Sequence, residues 1–323
     1  MSSNATTKIE SLTHQEDKQQ NPHRILSTDE LNLLNQRSNC KGIVQFAGHL
    51  AIMGLSGYLW ITNFGNWWLA IPALIIYGST FATMFAPFHE CNHRTAFANN
   101  HLNDTIGWFC GLLSLYNSSF YRHYHKWHHL YTNIPGKDPE LTDLIPSNLA
   151  EYFLVMSGFT WWQGKISAYF PIAFGQFEHC PFIPEAARPE VTRSVRQQFA
   201  VYGIAITFSI AAGQPWFLQY WLLPLVVGQP ILRIILLAEH TGCSSDNNFL
   251  ANTRTTLTLF PIRFLMWNMP FHAEHHLYPS IPFHALPVAH EKLHSHFKHV
   301  CSDYVSVHRN IIAKFKKPVR GYL

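Results

Sequence analysis

The stretch HYHKWHH, residues 123–129, places four histidines in seven positions. Neutral imidazole is both a metal ligand and a proton carrier, so a run this dense points to one of those two uses. His125, His128 and His129 are spaced i, i+3, i+4 and so lie along one side of a helix, whereas His123 falls out of phase. The same spacing recurs at His272, His275 and His276 in HAEHH. His89 and His93 in HECNH stand four residues apart, about 6 Å along a helix axis, so both rings can meet one ion. His240 in AEHTG is a ninth candidate. Nine neutral imidazoles exceed what one ion binds, which makes two ions with four or five nitrogens each the natural arrangement. Iron, zinc, copper and nickel all suit such donors.

No cysteine or carboxylate box competes with the histidines. Cys40, Cys91, Cys110, Cys180, Cys243 and Cys301 show neither a CxxC pair nor a regular spacing, which argues against a thiolate metal site or a disulfide framework. Glu90, Asn92, Glu239, Asn268 and Glu274 lie beside the candidate ligands and are placed to accept their second ring N–H groups, fixing each tautomer. Asn268, one turn before His272, is also placed to hold a metal-bound water. The other histidines, His49 in an apolar stretch and His284, His290, His294, His296, His299 and His308 in the tail, read as structural or solvated.

These boxes need elements to bring them together. The chain of 323 residues is 47% hydrophobic, 15% aromatic and only 13% charged. That charge is about half the usual share of a soluble protein. The composition points to a membrane, while a mean hydropathy of -0.02 requires a sizeable polar part outside the bilayer. Four segments, about 43–62, 67–87, 199–213 and 217–238, read as spans. The brief links TNFGNW and GQPW fold them into two hairpins, and Trp60, Trp67, Trp68, Trp216 and Trp221 cluster near those turns as interfacial aromatics do. DTIGWFCGLLSLY from 104 and YFLVMSGFTWW from 152 are too short to cross and read as interfacial or buried helices. STDE at 27–30 reads as a capping box opening a helix over LNLL.

Charge orients the hairpins. All but one of the 23 Lys and Arg lie in the N-terminal arm, the 88–198 region and the tail after 239, which places those three regions in the cytoplasm. The exception, Arg233, is costly in lipid and stands two helical turns before His240, either as a polar tether beneath the site or snorkelling to the interface. Residues 1–24 are polar, lack the apolar core of a secretory signal and read as a disordered tail. Residues 25–310 form one membrane domain, and 311–323 a basic C-terminal tail. The expected fold is therefore an all-α multi-pass membrane protein: two transmembrane hairpins, four spans, and a cytoplasmic helical cap. Each hairpin returns the chain to the same side before a histidine region, so all nine imidazoles can converge on one site at the membrane surface.

FHECNHRTAF, YHKWHHLYTN, DPEL at 138–141, AEHTG and WNMPFHAEHHLYPSIPFHALP together resemble the integral-membrane fatty acid desaturase superfamily, over about residues 45–290. The resemblance implies two non-haem irons held by His89, His93, His125, His128, His129, His240, His272, His275 and His276. It also implies oxidation of an unactivated C–H bond of a membrane-associated acyl chain with dioxygen and two electrons. The first box, with three residues between its histidines, is unlike the stearoyl-CoA type and closer to the acyl-lipid and carotenoid-modifying branches. Leu236 stands where the stearoyl-CoA type has an asparagine one turn before the histidine equivalent to His240, which leaves that iron's shell open. No cytochrome b5-like HPGG segment and no GxGxxG loop occurs, so electrons are expected from a separate ferredoxin- or cytochrome b5-like donor steered by the basic face. No nucleic-acid partner is expected. The nearest rival is a hydroxylase or ketolase using the same site on an acyl chain, carotenoid or other lipid. A metal transporter or sensor would instead place ligands inside the spans, where only His49 lies.

Overall fold

The computed structural model describes residues 25–315 apart from residue 143. The expected tail of residues 1–24 and residues 316–323 of the expected C-terminal tail lie outside the described residues; residues 311–315 complete a helix, with Ile311 buried. The architecture is almost wholly helical. In chain order the helices are α1 (Thr28–Leu34), α2 (Asn39–Thr62), α3 (Trp67–Ala82), α4 (Phe85–His93), α5 (Asn100–Ser114), α6 (Ser118–Tyr131) and α7 (Leu149–Met156). There follow α8 (Phe159–Ala173), α9 (Arg188–Ala211), α10 (Leu223–His240), α11 (Phe260–Leu265), α12 (His272–Leu277), α13 (Leu286–Leu293) and α14 (Tyr304–Phe315). Two short strands, β1 (Thr255–Thr256) and β2 (Val300–Cys301), pair in parallel.

Local signals account for several helix starts. The capping box forms as expected: Ser27 Oγ accepts from the Glu30 amide at 3.3 Å and Glu30 Oε2 accepts from the Ser27 amide at 3.0 Å. Asn117 opens α6 in the same manner, its Oδ1 accepting from the Phe120 amide at 3.0 Å. Its Nδ2 donates to Ser194 Oγ and Gln198 Oε1, both at 3.0 Å, so the cap of the second histidine helix is tied to α9.

Three helices among the described residues are long and apolar enough to cross a membrane: Asn39–Thr62, Trp67–His93 and Leu218–His240. The first, at about 1.5 Å per residue, reaches about 36 Å. Its polarity is inverted relative to a helix in water. Gly42, His49, Ser56 and Trp60 face inward, while Ile43, Val44, Leu55, Leu59 and Ile61 face outward. Small and polar residues at the contact and large apolar ones outside are what a lipid environment selects, because lipid leaves no hydrophobic gain in burying Leu or Ile. His49 serves that contact, with Nε2 2.8 Å from the Thr80 carbonyl of α3.

The second span is one rod with a single break between α3 and α4. Pro87 has no N–H and its ring clashes with the carbonyl four residues earlier, which belongs to Thr83. That carbonyl accepts instead from the Ala86 amide at 2.9 Å, and the helix restarts as the short segment that carries His89 and His93. The third span packs on the second at paired glycines. A Cβ on Gly228 would stand 1.9 Å from the Gly78 carbonyl oxygen, so the backbones touch there. This crossing brings the end of α10, with His240, toward the end of the Trp67–His93 rod.

The segment expected to span at 199–213 falls on the second half of α9, which ends at Ala211. Its first half carries Arg188, Glu190, Arg193 and Arg196, so the helix as a whole is outside the set of membrane-length apolar helices. The short apolar stretches become α5, α7 and α8, all below spanning length. Among the five tryptophans near the turns, Trp67, Trp68 and Trp216 are exposed, but Trp60 is buried with Ala70 and Ala73. Trp221 donates its indole N–H to the Leu113 carbonyl at 2.9 Å. Both are packing residues, because the α2–α3 turn and the start of the third span each fold against a neighbouring helix. All six cysteines are free thiols.

Candidate metal centre

The nine histidines singled out by spacing converge, and they sort into two groups. His89, His93, His125, His129 and His275 each offer a nitrogen within 4.8 Å of the others; His128, His240 and His276 form a second such group. His272 joins the second, its Nε2 lying 3.1 Å from Nε2 of both His240 and His276. In the first group, His129 Nε2 lies 3.0 Å from His125 Nε2 and 3.1 Å from His275 Nε2. The groups touch where the His129 and His276 rings stack, with centroids 4.2 Å apart.

The i, i+3, i+4 boxes thus do not serve one ion each. At about 100° per residue, positions i and i+4 point about 40° apart while i+3 points about 100° away from i+4. In α6, His125 and His129 face the first group and His128 the second. In α12 the assignment is reversed: His272 and His276 face the second group and His275 the first. Each of these two helices contributes to both groups, whereas α4 serves only the first and α10 only the second.

The donor set fits metal ions. Two donors about 2.1 Å from one ion and at right angles are about 3.0 Å apart, which is the spacing of these Nε2 pairs. Six of the nine imidazoles are buried and His93, His129 and His240 partly so, and His89 Nδ1 and Nε2, His93 Nε2 and His128 Nε2 have no hydrogen-bond partner, an arrangement costly to leave without a cation. Burial, with their histidine neighbours adding to it, holds His125, His129, His272, His275 and His276 well below the ordinary histidine range, keeping them neutral and able to ligate. His128 differs. Burial works to depress it, but Glu140 and Asp138 outweigh burial and raise it, and a field that favours a proton there also favours a metal cation.

The expected supporting residues divide. Glu90 Oε1 is 3.5 Å from His89 Nδ1, while its Oε2 accepts from Thr95 Oγ1 at 2.8 Å and from the Phe283 amide at 3.2 Å. Glu239 Oε2 lies 3.5 Å from His272 Nε2, the nitrogen facing the second group, and not from its outer nitrogen. Glu274 turns away from all nine histidines. It accepts from Thr255 Oγ1 and pairs with His290 Nδ1 at 2.5 Å, so it anchors α12 to β1 and α13. Asn92 Nδ2 donates to the Phe88 carbonyl at 2.8 Å, and Asn268 Nδ2 to the Phe283 carbonyl at 3.1 Å; both amides brace backbone. Arg233 turns into the protein, 3.4 Å from the Tyr116 hydroxyl.

Residues not singled out by spacing do the orienting. Asp138 holds His128 Nδ1 at 2.9 and 3.1 Å through its two oxygens, and also accepts from the Asn133 and Glu140 amides. Thr132 Oγ1 lies 3.1 Å from His276 Nδ1. The DPEL stretch held the available signal, an acid a few residues beyond the second box. Asp138→Ala is expected to weaken metal retention by the second group about 10–100-fold, the usual effect of removing a carboxylate behind a ligating histidine. Chelator competition on purified protein measures it.

A nest of nine imidazoles, three of them at the ends of membrane-length helices and six on two short helices packed there, defines a membrane protein with a histidine-rich candidate metal centre. Comparison with known sequences gives the particular family: the pattern of the fatty acid desaturase family matches residues 65–307, and the chain belongs to that family. Among curated relatives, the Delta(5) fatty acid desaturase fat-4 of Caenorhabditis elegans is 25% identical over 247 residues, covering 67% of this chain and 55% of the relative. The sn-1 oleoyl-lipid 12-desaturase of Picosynechococcus sp. is 24% identical over 264 residues, covering 76% and 74% respectively. The sphingolipid delta(4)-desaturase DES1 of Gallus gallus is 27% identical over 231 residues, covering 69% and 65%. The chain thus spans little more than half the length of the first of these relatives.

Proposed function

We propose that the chain is an oxygen-dependent desaturase that introduces a double bond into a membrane-associated acyl chain, using two non-haem irons held by the five-histidine and four-histidine groups. The observation that carries this reading is the convergence of nine imidazoles, six buried and three partly buried, drawn from four helices, into two adjoining sets of metal-ligand spacing. When bound, an iron pair supplies the oxidation of an unactivated C–H bond with dioxygen and two electrons. The protein's part is to position one carbon and to keep water away.

The surroundings suit a hydrocarbon. Tyr121 stacks on His125 with centroids 4.8 Å apart, Phe85 lies 6.0 Å from His89, and both belong to an apolar cluster with Met84, Phe88, Leu232 and Ile235. Three relatives bear the names of desaturases of fatty acids, oleoyl lipids or sphingolipids, acting at different positions, which supports an acyl-chain substrate and leaves its position open.

The four-span topology with the histidines toward the cytoplasm is part of the same reading. It is supported by the outward-facing Ile204, Ile206, Phe208 and Ile210 on the second half of α9 and by the short link to the third membrane-length helix. Electrons then come from a separate ferredoxin- or cytochrome b5-like donor on that face.

Expression of the full chain with a compatible donor, followed by mass spectrometry of total lipids, tests the reaction. The expected product is an acyl chain short of two hydrogens. Gain of an oxygen atom would assign hydroxylation or ketone formation instead. No change, with iron bound and the donor functional, would overturn the lipid-oxidation reading.

A further inference from the structure

The two histidine groups are unequal, five nitrogens against four, and one helical turn before His240 of the smaller group stands Leu236. Leu236 packs against the apolar core and has no donor to offer. Glu140 stands beside His128 of the four-histidine group. It lies on the short turn Pro139–Thr142, with its amide donating to Asp138 Oδ1 at 2.9 Å, so the carboxylate that orients His128 also fixes the backbone of Glu140. Glu140 Oε2 is 3.6 Å from His128 Nε2, the nitrogen that Asp138 leaves facing the second group. Glu140 Oε1 is 3.8 Å from His125 Nδ1, the edge of that ring turned away from the first group. Neither of these nitrogens has a hydrogen-bond partner, and with one Glu140 oxygen they lie within 4.8 Å of one another. A separation of about 3.6 Å is too long for a hydrogen bond but suits two donors sharing one ion at about 2.1 Å and a near-trigonal angle.

We propose that Glu140 is the fifth donor of the four-histidine site, binding its metal through Oε2, while Oε1 faces the Nδ1–H of His125 in the neighbouring site. The proposal rests on the metal-centre reading above and goes beyond it. One ion then has only imidazole donors and the other has four imidazoles and a carboxylate, a hard anionic oxygen that makes the two ions chemically distinct. Glu239 is the competing acid: its Oε2 is 3.5 Å from His272 Nε2 as Glu140 Oε2 is 3.6 Å from His128 Nε2, but of the two acids only Glu140 also stands within ligand spacing of a second histidine, His125 of the neighbouring site.

The test uses full-length protein in detergent, loaded anaerobically with ferrous iron and compared with E140Q, E140A and E239Q. Iron per chain under chelator competition and Mössbauer spectra are the readouts, with no turnover needed. The expected wild-type result is two irons with two distinguishable ferrous signals. E140Q and E140A should keep the first iron and hold the second at least about tenfold more weakly, the effect of losing a ligand-shell partner, with only one signal altered. Two irons of wild-type affinity and unchanged spectra in both E140Q and E140A would overturn the proposal. So would selective loss of the second iron in E239Q but not in E140Q. Wild-type protein that binds no iron pair would overturn the metal-centre reading itself, an outcome distinct from the others.

Discussion

His275→Ala is expected to drive product formation below detection and to lower bound iron, while His123→Ala leaves both within about twofold, as for a substitution distant from core and site. The contrast tests the proposed ligand set with two histidines from otherwise similar runs. His275 is buried, its Nε2 is 3.1 Å from that of His129, and its ring centroid is 4.6 Å from those of both His89 and His93. It is thus the residue through which α12 closes the first group against α4 and α6. Its removal leaves a gap lined by the other four imidazoles, while Ala273 and Leu277 still anchor α12 in the core. His123 lies two residues before His125, on a different side of α6, and belongs to neither group. The measurements are product analysis and iron per chain. Full activity with His275→Ala would remove that residue from the ligand set.

Gly228→Leu is expected to destabilise the protein by at least about 1–3 kcal/mol, the usual cost of overpacking, and to reduce iron in the second group. The Gly78 carbonyl would sit 1.9 Å from the new Cβ, and Ala82 Cβ 2.9 Å away. Both partners are on the second span, and a backbone carbonyl cannot swing aside as a side-chain end can. The helices must separate, and His240, three turns along α10 from the crossing, moves with them. Gly54→Ala is the control: it also lies in a membrane-length helix, but nothing stands within 4 Å of its added Cβ. It should be neutral or stabilising by up to about 1 kcal/mol, because alanine has the better helix propensity. Thermal unfolding in detergent together with iron analysis distinguishes the two. An unchanged melting temperature for Gly228→Leu would show that the crossing is looser than the touching backbones imply.

Much of this architecture is legible in the amino-acid sequence alone. Apolar length announced the first, second and last spans, and the histidine periodicity identified nine residues that do converge. Helical geometry already contained the split of each HxxHH box, since neighbouring positions on a helix cannot point the same way. The segment at 199–213 was harder because length and polarity conflict within one helix: α9 joins an arginine-bearing half to an apolar one. The supporting shell was harder still. Asp138 and Glu140 reach their histidines through a loop in which Asn133 and Gly136 adopt positive φ, at 62° and 75°, and no periodicity predicts where such a turn will aim a carboxylate. Glu274 shows the reverse error. It sits between histidines in sequence, yet side chains one residue apart on a helix diverge, and it braces His290 instead.

The sharing of α6 and α12 between the two histidine groups has a mechanical consequence. Were each group built from its own pair of helices, the distance between them would vary with every small adjustment in how those helices pack. Because adjacent rungs of one helix point into both, that distance is set by backbone pitch, which is among the stiffest dimensions a protein has. Bending of the surrounding bilayer or exchange of one lipid for another can then translate the pair of sites as a unit without changing the gap between them.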